Sequence, residues 1–149
     1  MNRRVFLTAI ALTIGFVFSA ALPARAHTVH KIMFHVDEND PARMNLVLNN
    51  AQNVNNYYKA KGEIIQIEIV AYGPGLNMLV ADKSPVKARV SSMSLAIENL
   101  RFSACNNTHQ AMIKKAGKDV PLLSEAKVVP SGVVRLVYLQ EAGWSYLRP

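Results

Sequence analysis

The sequence predicts an α/β domain, a mostly parallel sheet of about five strands covered by helices on both faces, and three observations lead there. Short runs dense in β-branched residues alternate with segments whose apolar residues recur every three or four positions. The links between them are short, and glycine, proline or a capping residue stands at most junctions. Residues 27–149 are enough for one domain with a real core and too few for two.

Taken in order, residues 31–36 form an apolar first strand, followed by Asp37, Glu38, Asn39 and Asp40 as a polar turn. Asp40 can cap a helix and Pro41 suits its first turn. Met44, Val47, Leu48, Ala51, Val54 and Tyr58 then mark one helical face to about residue 61, with Asn45, Asn49, Asn53 and Asn56 turned away. Gly62 ends that helix, and residues 64–71 read as a buried second strand interrupted only by Gln66 and Glu68. Tyr72-Gly73-Pro74-Gly75 turns the chain, residues 76–80 give a short helical piece, and Ser84-Pro85 opens a helix through Val86, Val90, Met93, Ile97 and Leu100. Residues 101–104 make a third strand that hands directly to a helix capped by Asn106 or Asn107 and ending at Gly117. Residues 127–130 give a fourth strand. After the turn at Ser131-Gly132 comes a helix over 133–141, with Val133, Leu136, Val137 and Gln140 on one side, and residues 145–148 make a short last strand.

The first 26 residues have the layout of a cleavable signal peptide: a basic start with Arg3 and Arg4, an apolar run over 5–22, and Ala24 and Ala26 as the small residues before the cut. An uncleaved membrane anchor is the competing reading, and Pro23 with the Ala-x-Ala site argues against it. The stretch from Asn2 to Thr8 resembles a twin-arginine signal, and Arg25 near the cut fits that route; the general secretory route is the alternative. The mature protein is therefore expected to be periplasmic or secreted and free of the membrane. Because Arg3, Arg4 and Arg25 leave with the signal, the net charge falls from +7 to about +4, and no basic run longer than Lys114-Lys115 remains. No nucleic-acid partner is expected. Cys105 is the only cysteine, so no internal disulfide forms.

In sheets of this kind ligands gather beyond the carboxyl ends of the strands, where helix N-termini converge. Those ends supply His35 and Asp37, Tyr72 and Gly73, Cys105 with Asn106, Asn107 and Thr108, and Ser131 with Gly132. A thiol just before a helix start feels the positive end of the helix dipole, which favours the thiolate. The competing reading of Cys105 is a small buried hydrophobe, the commonest fate of a free cysteine, and its position in the sequence leaves the two even. A lone thiol cannot run an internal dithiol cycle, so any sulfur chemistry needs a partner. His109 lies one helical turn beyond Cys105 and assists only if its ring points back.

Ala104-Cys105-Asn106-Asn107-Thr108, the earlier Val70-Ala71-Tyr72-Gly73-Pro74-Gly75, Val129-Pro130-Ser131-Gly132-Val133 and the stretch from Leu139 to Tyr146 resemble the DsrE/DsrF-like family, most closely its exported branch. The resemblance extends over essentially all of residues 27–149. It implies a three-layer, flavodoxin-like α/β fold, assembly into trimers or hexamers, and a persulfide-carrying cysteine, a role that falls to Cys105. It also implies a sulfur donor or acceptor protein as partner. The alternative is a non-enzymatic module that binds a small ligand or a protein in the strand-end pocket.

The other motifs point to bland roles. His27, His30 and His35 offer imidazoles near a chain end, with no carboxylate or cysteine at ligand spacing, so no metal and no other cofactor is expected. Asp37, Glu38 and Asp40 read as ordinary complements to a helix dipole. Ser131 lacks the pattern of a nucleophile elbow, and Gly73-Pro74-Gly75 lacks the lysine and spacing of a phosphate loop. Trp144 and Tyr146 read as core or subunit-contact residues.

Overall fold

The computed structural model describes residues 28–149, so the signal peptide read in residues 1–26, and His27, lie outside the described residues. Strands β1 (Val29–Val36), β2 (Ile64–Ala71), β3 (Leu100–Cys105), β4 (Ala126–Val129) and β5 (Ser145–Leu147) form one sheet in the order β4-β3-β2-β1-β5. Every neighbouring pair is parallel. The helices are α1 (Pro41–Ala60), α2 (Lys87–Ala96), α3 (Asn106–Ala116) and α4 (Gly132–Glu141), with a 3-10 helix over Gly73–Leu79 before α2. The α/β class read from the sequence is the class the chain adopts, with a sheet that is parallel throughout.

Topology follows from handedness. Strands β1 to β4 are laid down side by side in one direction, and right-handed crossovers put all their connections on one face. The chain then crosses the whole sheet from β4 to β5, and the reversed direction puts α4 on the opposite face. The two cores reflect this. Phe34, Ile67, Ile69 and Phe102 pack against Met44, Val47, Leu48 and Ala51 of α1 and Val90 and Met93 of α2, with Met112 of α3 at the margin. Met33 and Val70 pack on the other side against Leu136 and Leu139 of α4, beside Tyr72 and Trp144. Central β2 is covered on both faces, which is why its sequence is nearly continuous apolar rather than alternating.

Several boundaries are as local chemistry dictates. Asp40 accepts from Ala42 N–H at 2.8 Å and caps α1 ahead of Pro41. Gly75 lets the 3-10 helix cross the end of β1, because a Cβ there would stand 2.4 Å from the Val36 carbonyl oxygen. Three expectations are corrected. Helix α2 begins at Lys87 rather than at Ser84-Pro85, because the Ser84 hydroxyl is engaged by the Met78 carbonyl at 2.6 Å and bends the chain before the helix. Helix α3 starts directly after β3, so Cys105 itself occupies the cap position and Asn106 and Asn107 lie inside the helix. Helix α4 turns Leu136 and Leu139 to the sheet, and leaves Val133 and Val137 55% and 50% exposed. The same rotation points Arg135 at the sheet, where it meets Glu68.

Candidate functional site

The adjacent strands β3 and β4 send their chains to opposite faces, β3 into α3 and β4 into α4, and the sheet opens a crevice between such strands at their carboxyl ends. Cys105 is the last residue of β3 and pairs with Val129, the last of β4. The lone thiol therefore stands at the switch point, with the first turn of α3 ahead of it and that of α4 beside it. It is 4% exposed.

Burial pushes the Cys105 thiol up, but the Thr108 hydroxyl and the N–H groups of Thr108, Gly132 and Asn107 outweigh it, and its pKa lies below the ordinary value. Thr108 is oriented in turn, since Gly73 N–H donates to its Oγ1 at 2.9 Å. Gly73 makes this approach with a backbone φ of +53°, which glycine adopts without strain. Gly132 is required for a steric reason: a Cβ there would sit 2.8 Å from the Tyr72 side chain, which packs across the start of α4.

From Cys105 the site continues across the strand ends. The Tyr72 ring stacks on His35, with centroids 4.7 Å apart. His35 is 6% exposed, and its Nδ1 lies 2.7 Å from the Tyr146 hydroxyl. Its Nε2 is buried without a hydrogen-bond partner among the described residues, 3.7 Å from Asp37 Oδ2. Burial lowers the His35 pKa, Asp37 opposes that and Arg148 adds to it, so the ring is neutral at pH 7. Neutral His35 then accepts the Tyr146 proton on Nδ1 or donates its own. Arg148 forks onto both Asp37 oxygens at 3.1 and 3.0 Å and also reaches Glu38. Burial raises the Asp37 pKa, and the Arg148 hydrogen bond and charge, together with His35 once acid protonates it, carry it below the ordinary carboxylate value.

Below Cys105 on the α4 face lies a group the sequence reading did not single out. Glu68, 1% exposed, accepts from the Ser103 hydroxyl at 2.6 Å and from Arg135 Nε and a terminal Arg135 nitrogen at 2.7 Å each. The available signal was the carboxylate itself, since a charge inside a run as apolar as β2 needs a buried partner.

His35, Asp37, Tyr72, Gly73, Asn106, Asn107, Thr108, Ser131 and Gly132 all lie at the carboxyl ends of the strands with Cys105. They fall into two groups that meet at Tyr72: Thr108, Asn107 and Gly132 around the thiol, and His35 and Asp37 toward Tyr146 and Arg148. His109 does not turn back to Cys105; its Nε2 lies 2.7 Å from the Val120 carbonyl oxygen. His30 pairs with Glu63 at 2.9 Å and stacks on Tyr58, and its register on β1 is of opposite parity to His35, so the two imidazoles point to opposite faces. Among the described residues no three histidine, cysteine or acidic side chains are grouped to hold a metal ion. Beside the crevice, Val129, Pro130, Val134 and Tyr138 line a shallow apolar cleft of about 230 Å³.

No family model matches the chain, and no curated protein matches it. A solved structure does: the MTH1491 protein of Methanobacterium thermoautotrophicum, described as a protein of unknown function, is similar at 38% identity with a TM-score of 0.67. The match covers 80% of this chain and 99% of that one.

Proposed function

This chain belongs to the same family as the MTH1491 protein, and from that premise, which carries a fold and no activity, we propose that it is an exported thiol-dependent sulfur carrier that holds sulfur on Cys105 as a persulfide. The observation that carries the reading is the setting of Cys105, a thiol at the switch point of a parallel sheet whose pKa is lowered by Thr108, Gly132 and Asn107. The resemblance to DsrE/DsrF-like proteins supports it, and export rests on the signal read in residues 1–26.

In the step proposed, the Cys105 thiolate attacks the outer sulfur of a donor persulfide. A new S–S bond forms on Cys105, the donor's S–S bond breaks, and the donor leaves as a thiolate. The sulfur moves without net oxidation, so no external oxidant is required. The polar hydrogens that favour the Cys105 thiolate also favour the persulfide anion that replaces it. Release reverses the step onto an acceptor thiol. With one cysteine the chain depends on partners at both ends of the transfer, which makes it a carrier rather than a self-contained enzyme.

A homo-oligomer, a trimer or hexamer, belongs to the same proposal. Parallel sheets are ordinarily covered on both faces, yet among the described residues a single helix covers one face, and Val133, Val134, Val137 and Tyr138 of that helix are at least half exposed. A second functional reading, a non-enzymatic binding module, is favoured by His35 Nε2, a buried nitrogen of the strand-end site with no partner among the described residues. Loading separates the two. After exposure to polysulfide a carrier gains one sulfur atom by mass, returns it to a small thiol, and shows neither event in Cys105→Ser. A binding module gains no sulfur.

A further inference from the structure

The sulfur-transfer step makes no use of Glu68, a carboxylate buried beside the smaller of the two cores and paired with part-buried Arg135. Around Glu68 and Arg135 that core consists of Met33, Val70, Leu136 and Leu139, and a buried ion pair adds little stability over apolar residues of similar size. Its distinguishing property is direction. Leucine contacts leave a helix free to roll on a sheet, whereas a two-point fork, its carboxylate fixed again by Ser103, sets the rotation of α4 about its own axis. Arg135 lies in the first turn, where its own N–H donates to the Ser131 carbonyl at 3.0 Å, and it follows Gly132 by three residues. Gly132 seats against the Tyr72 side chain three residues past Val129, the strand partner of Cys105, so the first turn of α4 stands beside the thiol, and the Gly132 N–H is among the groups that lower the thiol's pKa.

We infer that Glu68 is a positioning residue for Cys105: by gripping Arg135 it fixes the rotation of α4 and so holds the Gly132 N–H against the thiol. The inference rests on the reading of Cys105 as the reacting group. It makes an unusual demand on sign. Replacing Glu68 by glutamine removes a negative charge, and by charge alone that favours the Cys105 thiolate and lowers its pKa. Loss of positioning does the reverse.

The experiment is the pH dependence of Cys105 alkylation by iodoacetamide in the folded protein, for the natural chain, Glu68→Gln and Arg135→Lys. The Arg135→Lys variant keeps every charge and loses the fork, and it carries the test alone if Glu68→Gln does not fold. The expected result is a midpoint raised in both variants and alkylation at pH 7 slowed about tenfold, the worth of one hydrogen bond to a charged acceptor. Variants that melt earlier but keep the natural midpoint, or a midpoint that falls in Glu68→Gln, overturn the positioning role and leave the carrier reading standing. A natural chain whose thiol reacts only after denaturation removes both.

Discussion

Gly73 N–H donates to Thr108 Oγ1 at 2.9 Å, which fills one acceptor position of that hydroxyl and leaves its proton for Cys105. The residue after β2 thereby orients a side chain in α3 toward the thiol at the end of β3. Thr108→Val keeps the shape of the side chain and removes the donor, so the thiol pKa should rise and alkylation at pH 7 should slow about tenfold. Thr108→Ser retains the hydroxyl and should react like the natural chain. Equal rates for Thr108→Val and Thr108→Ser would show that the hydroxyl does not act on the thiol.

His35 gives the fold a pH dependence whose direction is fixed. Burial holds its pKa below the ordinary value. Between about 6.5, the unfolded value, and the lower folded value, the unfolded chain takes up a proton that the native chain refuses. Stability is therefore complete above pH 6.5, declines as pH falls through that window, and levels off below the folded pKa. Thermal melting from pH 8 to 5 should show this decline, and His35→Gln should flatten it. The loss below about pH 4 from Asp37, whose pKa Arg148 depresses despite burial, should remain in that variant. Tyr146→Phe should cost about 1 kcal/mol through the lost bond to His35.

Two glycines should fail in different ways. At Gly75 an added Cβ meets the backbone of Val36 and Asp37, which cannot yield, so Gly75→Ala should cost about 3 kcal/mol or more. At Gly132 the obstacle is the side chain of partly exposed Tyr72, so Gly132→Ala should cost about 1–3 kcal/mol, with a rise in the thiol pKa as α4 is displaced. Denaturant unfolding measures both, and because the Tyr72 Cβ itself stands 2.8 Å from the added carbon, only a Tyr72→Gly background, which lacks that atom as well as the ring, should recover most of the second loss. No recovery in the double variant would show that the clash is elsewhere.

Much of this arrangement was legible in the sequence because its signals are local. The change from β-branched runs to apolar residues every three or four positions, Asp40 before Pro41, and Cys105 between a strand and a helix each lie within a few residues of what they determine. From them the strand-end set, from His35 to Gly132, could be gathered on one rim. The partners of the site could not. Arg135 meets Glu68 across 67 positions, and His35 meets Tyr146 across 111. Helix α4 misled for a related reason. Its exposed Val133 and Val137 look like an inward face until Arg135 is known to point at the sheet. Strand order was equally hidden, since it depends on the reversal after β4 rather than on any residue within it.

The outward face of α4 gives a prediction about assembly. If Val133, Val134, Val137 and Tyr138 are covered by further copies of the chain, light scattering of the protein at micromolar concentration should report a trimer or a multiple of it. Val134→Glu, on the exposed surface and away from the leucines that seat the helix, should give a folded monomer. A natural chain that is monomeric at that concentration contradicts the assembly.

The measurement that bears most directly on the carrier reading is the alkylation of Cys105 in the native and the denatured natural chain across pH. The account predicts that the native thiol titrates below the denatured one, and that at pH 7 the folded protein reacts faster than the unfolded one. A Cys105 that resists alkylation until the fold is lost would be a packing residue at 4% exposure, and sulfur transfer by this protein would be contradicted.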